Sequence, residues 1–116
     1  MLTKEQILGA DDLVTEHMDI PEWGDDLWVR TMTGTERDAW EAGLIGDGDG
    51  AKPNMVNVRA KLCVRCICNE AGERVFDDAE AAALGGRSAR ALDRIFAVAQ
   101  RLNGLGADDV EALAKN

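Results

Sequence analysis

Asp26-Leu-Trp-Val-Arg-Thr-Met-Thr-Gly-Thr-Glu36 changes its period half-way along. The first half alternates Leu27, Val29 and Thr31 against Trp28, Arg30 and Met32, the two-residue repeat of a strand. The second half, Thr33-Gly-Thr-Glu36, has the spacing of a capping box, in which each end's side chain satisfies the other's free backbone N–H, so a helix opens there. Upstream, His17-Met-Asp-Ile20 is another extended run, and Pro21-Glu-Trp-Gly24 between the two runs carries turn chemistry. The pair reads as a β-hairpin feeding a helix. Further upstream, Thr3-Lys-Glu-Gln6 is a second capping box, opening a short helix that Gly9 ends.

Working outward on the other side, the helix after Thr33 carries Ala39, Trp40, Gly43 and Leu44 on one side, an Arg37 to Glu41 pair on its surface, and a stop near Ile45. Residues 46–54 hold three glycines and no apolar side chain larger than alanine, so burial cannot offset their ordering entropy and a mobile loop is expected. Its Asp-Gly-Asp-Gly pattern fails as a calcium loop, because Ala51 and Lys52 stand where a ligand and the turn glycine belong. Helical spacing resumes over residues 55–67. Asn69-Glu-Ala-Gly72 then turns the chain into an extended Arg74-Val-Phe76, and Asp77 with Glu80 caps an alanine-rich helix ending at Gly85-Gly86. Ser88 caps the longest helix, with an inward stripe of Leu92, Ile95, Phe96, Ala99 and Leu102, and Asn103-Gly104 ends it. A last short helix is expected over residues 107–114. The fold class is therefore α+β, a mainly α-helical single domain with a small N-terminal β-hairpin. It divides into residues 1–32 (acidic helix and hairpin), 33–45 (helix), 46–54 (loop) and 55–116 (helical body).

A chain of 116 residues supports one modest core. No run approaches the roughly 20 apolar residues of a membrane span, and the start lacks a basic stretch followed by an apolar one, so no membrane association and a cytoplasmic address are expected. A net charge of -9 argues against nucleic acid as a partner. Residues 1–28 hold eight acidic residues against one Lys, or -7 of that total. Such an acidic head fits a partner with basic surface, and equally a solvated acidic segment.

All three cysteines fall in Lys61-Leu-Cys-Val-Arg-Cys-Ile-Cys-Asn69. A structural zinc site needs four converging ligands, and the chain adds only the distant His17, which reads as a strand residue. On a helix Cys63 and Cys66 lie about 60° apart while Cys68 points about 140° away from Cys63, so three thiolates cannot meet at one ion. Cys63-Val-Arg-Cys66 has redox spacing but sits late in a helix rather than at a helix start after a strand. Buried, reduced thiols are expected, with no metal, no cofactor and no catalytic residue.

The candidate protein-binding residues are Trp23, Trp28, Arg59, Arg87, Arg90, Arg94 and Arg101. The last four fall within about 60° of one another on the long helix, away from its apolar stripe. That ridge suits an acidic partner, this chain's own acidic head, or plain solvation. Arg59 lies between Cys63 and Cys66 on the helical wheel, where it either snorkels or marks a contact surface. Trp23 and Trp28 both sit in a hairpin too small to bury the two of them, so one can anchor a partner. The alternative is that Trp28 closes the core against the helix of Trp40.

The order of these pieces resembles the tail assembly chaperones of long-tailed bacteriophages and prophages. The matching residues are Leu2-Thr-Lys-Glu-Gln-Ile7, Pro21-Glu-Trp-Gly24, Val29-Arg-Thr-Met-Thr-Gly34 with Glu36-Arg-Asp38, the cysteine helix turning at Asn69-Glu-Ala-Gly72 before Val75-Phe76, and Ala91-Leu-Asp-Arg-Ile-Phe96 with Ala99-Gln-Arg-Leu-Asn-Gly104. The resemblance implies a non-enzymatic chaperone that coats the tape measure protein in the host cytoplasm, helps recruit the major tail protein, and is absent from the finished virion. It also implies that a ribosomal frameshift adds a second, subunit-recruiting domain in a long form. No residue-level site carries over from the family. The competing readings are a structural tail terminator or head-to-tail connector retained in the particle, and a redox or metal enzyme resting on the cysteines alone.

Overall fold

The computed structural model describes residues 1–45 and 55–106. The loop expected over 46–54 and the helix expected over 107–114 lie outside them. In chain order the elements are α1 (Lys4–Leu8), β1 (Thr15–Ile20), β2 (Asp25–Arg30), α2 (Gly34–Ala42), α3 (Val58–Cys66), β3 (Ile67–Cys68), α4 (Ala81–Gly85) and α5 (Ala89–Leu102), with short 3-10 turns at Pro21–Trp23 and Asp78–Glu80. The α+β class with an N-terminal hairpin is what forms.

β1 and β2 pair antiparallel, from Thr15 opposite Arg30 to Ile20 opposite Asp25. Pro21 presets the first turn residue, and Gly24 closes the turn at φ 81°, with its N–H donating to the Ile20 and Pro21 carbonyls. This register puts Met18, Ile20, Leu27 and Val29 on the face packed into the core, and His17, Asp19, Asp26 and Trp28 on the opposite face. Trp28 therefore does not close the core against Trp40. The two aliphatic residues flanking it do so, because strand alternation sends its indole outward.

The sheet has a third strand that helical periodicity hides. α3 ends at Cys66, the Ile67 backbone is extended, and Ile67 and Cys68 pair with Val29 and Trp28 of β2. The free edge of β2 supplies hydrogen bonds that one further helical turn would have to match, and tertiary pairing prevails over local period. Cys68 is thus on a strand, not on the far side of a helix, and the extended return at Arg74 bridges to it.

α3 is the hub. Ala60, Leu62, Cys63, Val64 and Cys66 are buried, so it is covered on most sides, chiefly by α5 and α4. α5 turns Ala91, Leu92, Ile95 and Ala99 inward to join Trp40, Leu44 and Val29 in one cluster among the described residues. Phe96 and Leu102 pack on the margin of this cluster.

Two polar devices lock the layers together. Glu36 accepts the Thr33 N–H at 2.9 Å as part of its capping box, and its other oxygen lies 2.6 Å from Arg30, whose side chain is only 7% exposed. Arg74 extends the chain of charges. It lies 3.6 Å from Glu36, donates to the Val64 carbonyl, and meets Asp78 at 2.6 Å, which Arg65 also reaches at 2.8 Å. The hydrogen bonds from Arg74 and Arg65 hold the Asp78 carboxyl below its ordinary pKa.

The second device is Asn103, the cap residue of α5. Its Oδ1 accepts the Met32 N–H at 2.7 Å, its Nδ2 donates to the Ala99 carbonyl, and its own carbonyl accepts from Arg37. Gly104, at φ 68°, completes a Schellman ending in which Leu105 N–H reaches the Gln100 carbonyl and buries the Leu105 side chain. Asn103→Ala leaves the backbone donor of a buried residue without its partner. A loss of about 2 kcal/mol is expected, read by calorimetry as a fall in Tm of about 5–10 °C.

Candidate protein-binding surfaces

The arginine ridge of α5 divides. Arg94 pairs with Glu22 of the hairpin turn and donates to the Asp19 carbonyl, and Arg101 meets Glu16 of β1 at 2.5 Å. These two arginines dock the chain's own acidic head, one of the readings open from the sequence. The Glu22 carboxyl is held below its ordinary pKa first by its own backbone N–H and then by Arg94, with Arg90 adding to the field. Arg90 lines an open groove with Pro21, Glu22 and Asp93.

Arg87 precedes Ser88, the N-cap of α5, so it is not on the helix ridge as expected, and it lies with Arg59 around another site. They line a cavity of about 160 Å³ between the starts of α3 and α5 and the end of α4, together with Met55, Asn57 and Leu92. Arg59 is exposed at the start of α3 and ion-paired with Asp93. Cys63 and Cys66 are buried deeper along the axis, where α5 covers them.

Trp23 is 38% exposed in the hairpin turn. Trp28 is half-buried on the outward face, its ring centroid 5.2 Å from that of His17 in an edge-on contact. His17 Nε2 lies 2.7 Å from Asp26, and this hydrogen bond, with the nearby charges of Asp26, Asp19 and Glu70, raises the imidazole above its ordinary pKa. One potential ligand atom each from His17, Asp19 and Asp26 falls within 4.8 Å of the others. His17 is thus a strand residue, as expected, and it also lies within an acidic cluster.

The least covered apolar surface is one the residue pattern did not single out. α1 forms behind its capping box but buries no residue. Leu2 is 66%, Ile7 57%, Leu8 77% and Val14 56% exposed. The arm is tied down where Val14 and Thr31 exchange hydrogen bonds, the Val14 N–H to Thr31 Oγ1 and the Thr31 N–H to the Val14 carbonyl. Beside that tie, Leu13, Met32, Gly34, Arg37 and Leu102 line an open groove of about 500 Å³. The signal was present in the sequence: a five-residue helix with aliphatic side chains cannot bury them on itself.

The cysteines are all free and buried. Burial pushes the Cys63 and Cys68 thiols up, and the Cys66 thiol up to about 12, which disfavours the reactive thiolate form. Fewer than about 0.1 thiols per chain should react with Ellman's reagent at pH 8 in the native protein, and all three after unfolding in guanidinium.

The model of the phage tail assembly chaperone family matches residues 7–116. The chain belongs to that family. The structure is similar to that of the bacteriophage HK97 tail assembly chaperone, with a TM-score of 0.61 at 15% identity, covering 84% of this chain and 94% of that one. At that identity the likeness speaks for the fold alone. Among curated proteins no match is found. No helix among the described residues is long and apolar enough to cross a membrane. Several of the short segments that carried the resemblance fall at structural joints: Pro21-Glu-Trp-Gly24 makes the hairpin turn, Arg30 with Glu36 forms the buried pair, and Asn103-Gly104 clasps α5 to the strand that precedes α2.

Proposed function

We propose that this tail assembly chaperone binds the tape measure protein and, through a frameshift-extended form, helps recruit the major tail protein around it in the host cytoplasm, without enzymatic activity. The observation that carries the reading is the apolar arm. A small protein that leaves Leu2, Ile7, Leu8 and Val14 uncovered at its N-terminus offers aliphatic side chains to an amphipathic helical client. The groove beside the arm extends that surface. The net charge of -9 keeps the free protein dispersed and disfavours nucleic acid.

A chaperone leaves the assembled particle, whereas a tail terminator or connector stays. Quantitative mass spectrometry of purified virions distinguishes them. Absence of this chain, or trace amounts well below ring stoichiometry, is expected; a fixed ring copy number per particle rejects the chaperone role.

A further inference from the structure

The outward face of the hairpin carries charge that the fold does not answer. Asp19 and Asp26 stand directly opposite each other across β1 and β2, an arrangement of like charges that opposes strand pairing. Among the described residues no Lys or Arg side chain forms an ion pair with Asp19 or Asp26, and Asp26 has only His17. The inner face differs, since Glu16 and the turn residue Glu22 are each met by an arginine of α5. The uncovered part of the outward face is also bounded. At one end of the sheet Arg30 and Cys68 are buried, and at the other His17, Asp19 and Asp26 are exposed around a half-buried Trp28.

We infer that this face docks a basic segment of a protein partner, seating a Lys or Arg side chain against Trp28 with its cationic group between Asp19 and Asp26. The inference rests on the chaperone reading in one respect, that the occupant is a protein chain. Two carboxylates offer acceptors to an ammonium or guanidinium group, and charge-assisted hydrogen bonds of that kind are the stronger ones. The indole attracts a cation placed over its ring and covers the aliphatic stem of the same side chain. A cation seated there removes the Asp19 to Asp26 repulsion, so binding and strand pairing support each other. His17, Asp19 and Asp26 are close enough to suit a divalent ion. A metal ion, however, makes no use of Trp28 and must displace the proton shared between Asp26 and His17 Nε2.

The test uses a fluorescein-labelled amphipathic peptide with lysine and arginine on its polar face, and a counterpart with glutamate at the same positions. Anisotropy titrations with the full chain at low salt should show binding of the basic peptide only. The D19N/D26N double variant relieves a like-charge pair and so should fold; its affinity should fall roughly tenfold or more. Equal affinity of wild type and double variant overturns the inference, as does equal binding of the glutamate peptide. So does saturable Zn²⁺ binding, lost in His17→Ala, in the absence of peptide binding. Co-expression with the tape measure protein separates the two claims. A wild-type chain that fails to keep it soluble counts against the chaperone reading, whereas a wild-type chain and a D19N/D26N chain that succeed equally count against this face.

Discussion

Glu36→Ala is expected to destabilise the protein by about 3–5 kcal/mol, the largest loss from any single polar substitution in the described residues, because it leaves a buried arginine without its counter-charge. Arg30 is 7% exposed on its side chain, and Glu36 is the residue paired with it at 2.6 Å. The same glutamate closes the capping box of α2 and lies near Arg74. Truncation therefore removes a cap and an ion pair together, and leaves Arg30 in a site that water reaches poorly. Against a total stability of about 5–15 kcal/mol for a domain of this class, such a loss brings the chain near its unfolding threshold. Urea denaturation checks this: the midpoint should fall steeply while the slope stays the same. Glu36→Gln should cost less than Glu36→Ala, since the amide oxygen can still accept the Thr33 N–H while the charge on Arg30 goes unanswered. Near-equal stability of wild type and Glu36→Ala would show that the buried pair is not what joins strand to helix.

The I7D/L8D double variant is expected to behave in the opposite way, with stability within about 0.5 kcal/mol of wild type and client binding lost. Neither side chain is buried, and α1 buries no residue, so folding gains little from either. The two aspartates place charge on the surface proposed to receive an apolar helix, and desolvating them on binding is costly. A thermal melt should superimpose on that of wild type, while the fraction of tape measure protein recovered in the soluble phase on co-expression should fall to the level seen with no chaperone. A variant that melts like wild type and still keeps the client soluble would remove the arm from the binding surface.

What the sequence shows of this fold is what its local hydrogen bonds decide. Thr3 with Gln6, Thr33 with Glu36 and Ser88 at the start of α5 act between residues three apart and cap as their spacing implies, whereas Asp77 with Glu80 closes a 3-10 turn before α4 rather than capping α4 itself. Pro21 and Gly24 fix the hairpin turn for the same reason. What was not legible depends on partners distant in the chain. Ile67 and Cys68 continue a helical pattern and leave it only because β2 offers an open edge. Arg30 alternates with apolar residues as a surface strand residue would; its burial depends on Glu36 and Arg74 arriving from other elements. Asn103 looks like a helix stop, and its second role, accepting from Met32, spans 71 residues.

The surfaces divide along the same line. The helical wheel placed Arg94 and Arg101 on one ridge but could not say that the hairpin lies against it and engages both. Strand alternation separated Trp28 from Leu27 and Val29, yet which set faced the core depended on where α5 packs. The apolar arm was present as letters, Leu2, Ile7, Leu8 and Val14, and its exposure emerges because none of the described elements covers it. The family was readable earlier than the surfaces because it rests on the order of short segments, and those segments make the turns, caps and clasps on which the fold depends.

The proposed chaperone role is tested by the soluble fraction of the tape measure protein expressed in bacteria with and without this chain. The tape measure protein is expected to be largely insoluble alone, to become soluble with the wild-type chain, and to co-elute with it on size-exclusion chromatography. A soluble fraction unchanged by the wild-type chain, with no co-elution, would contradict it.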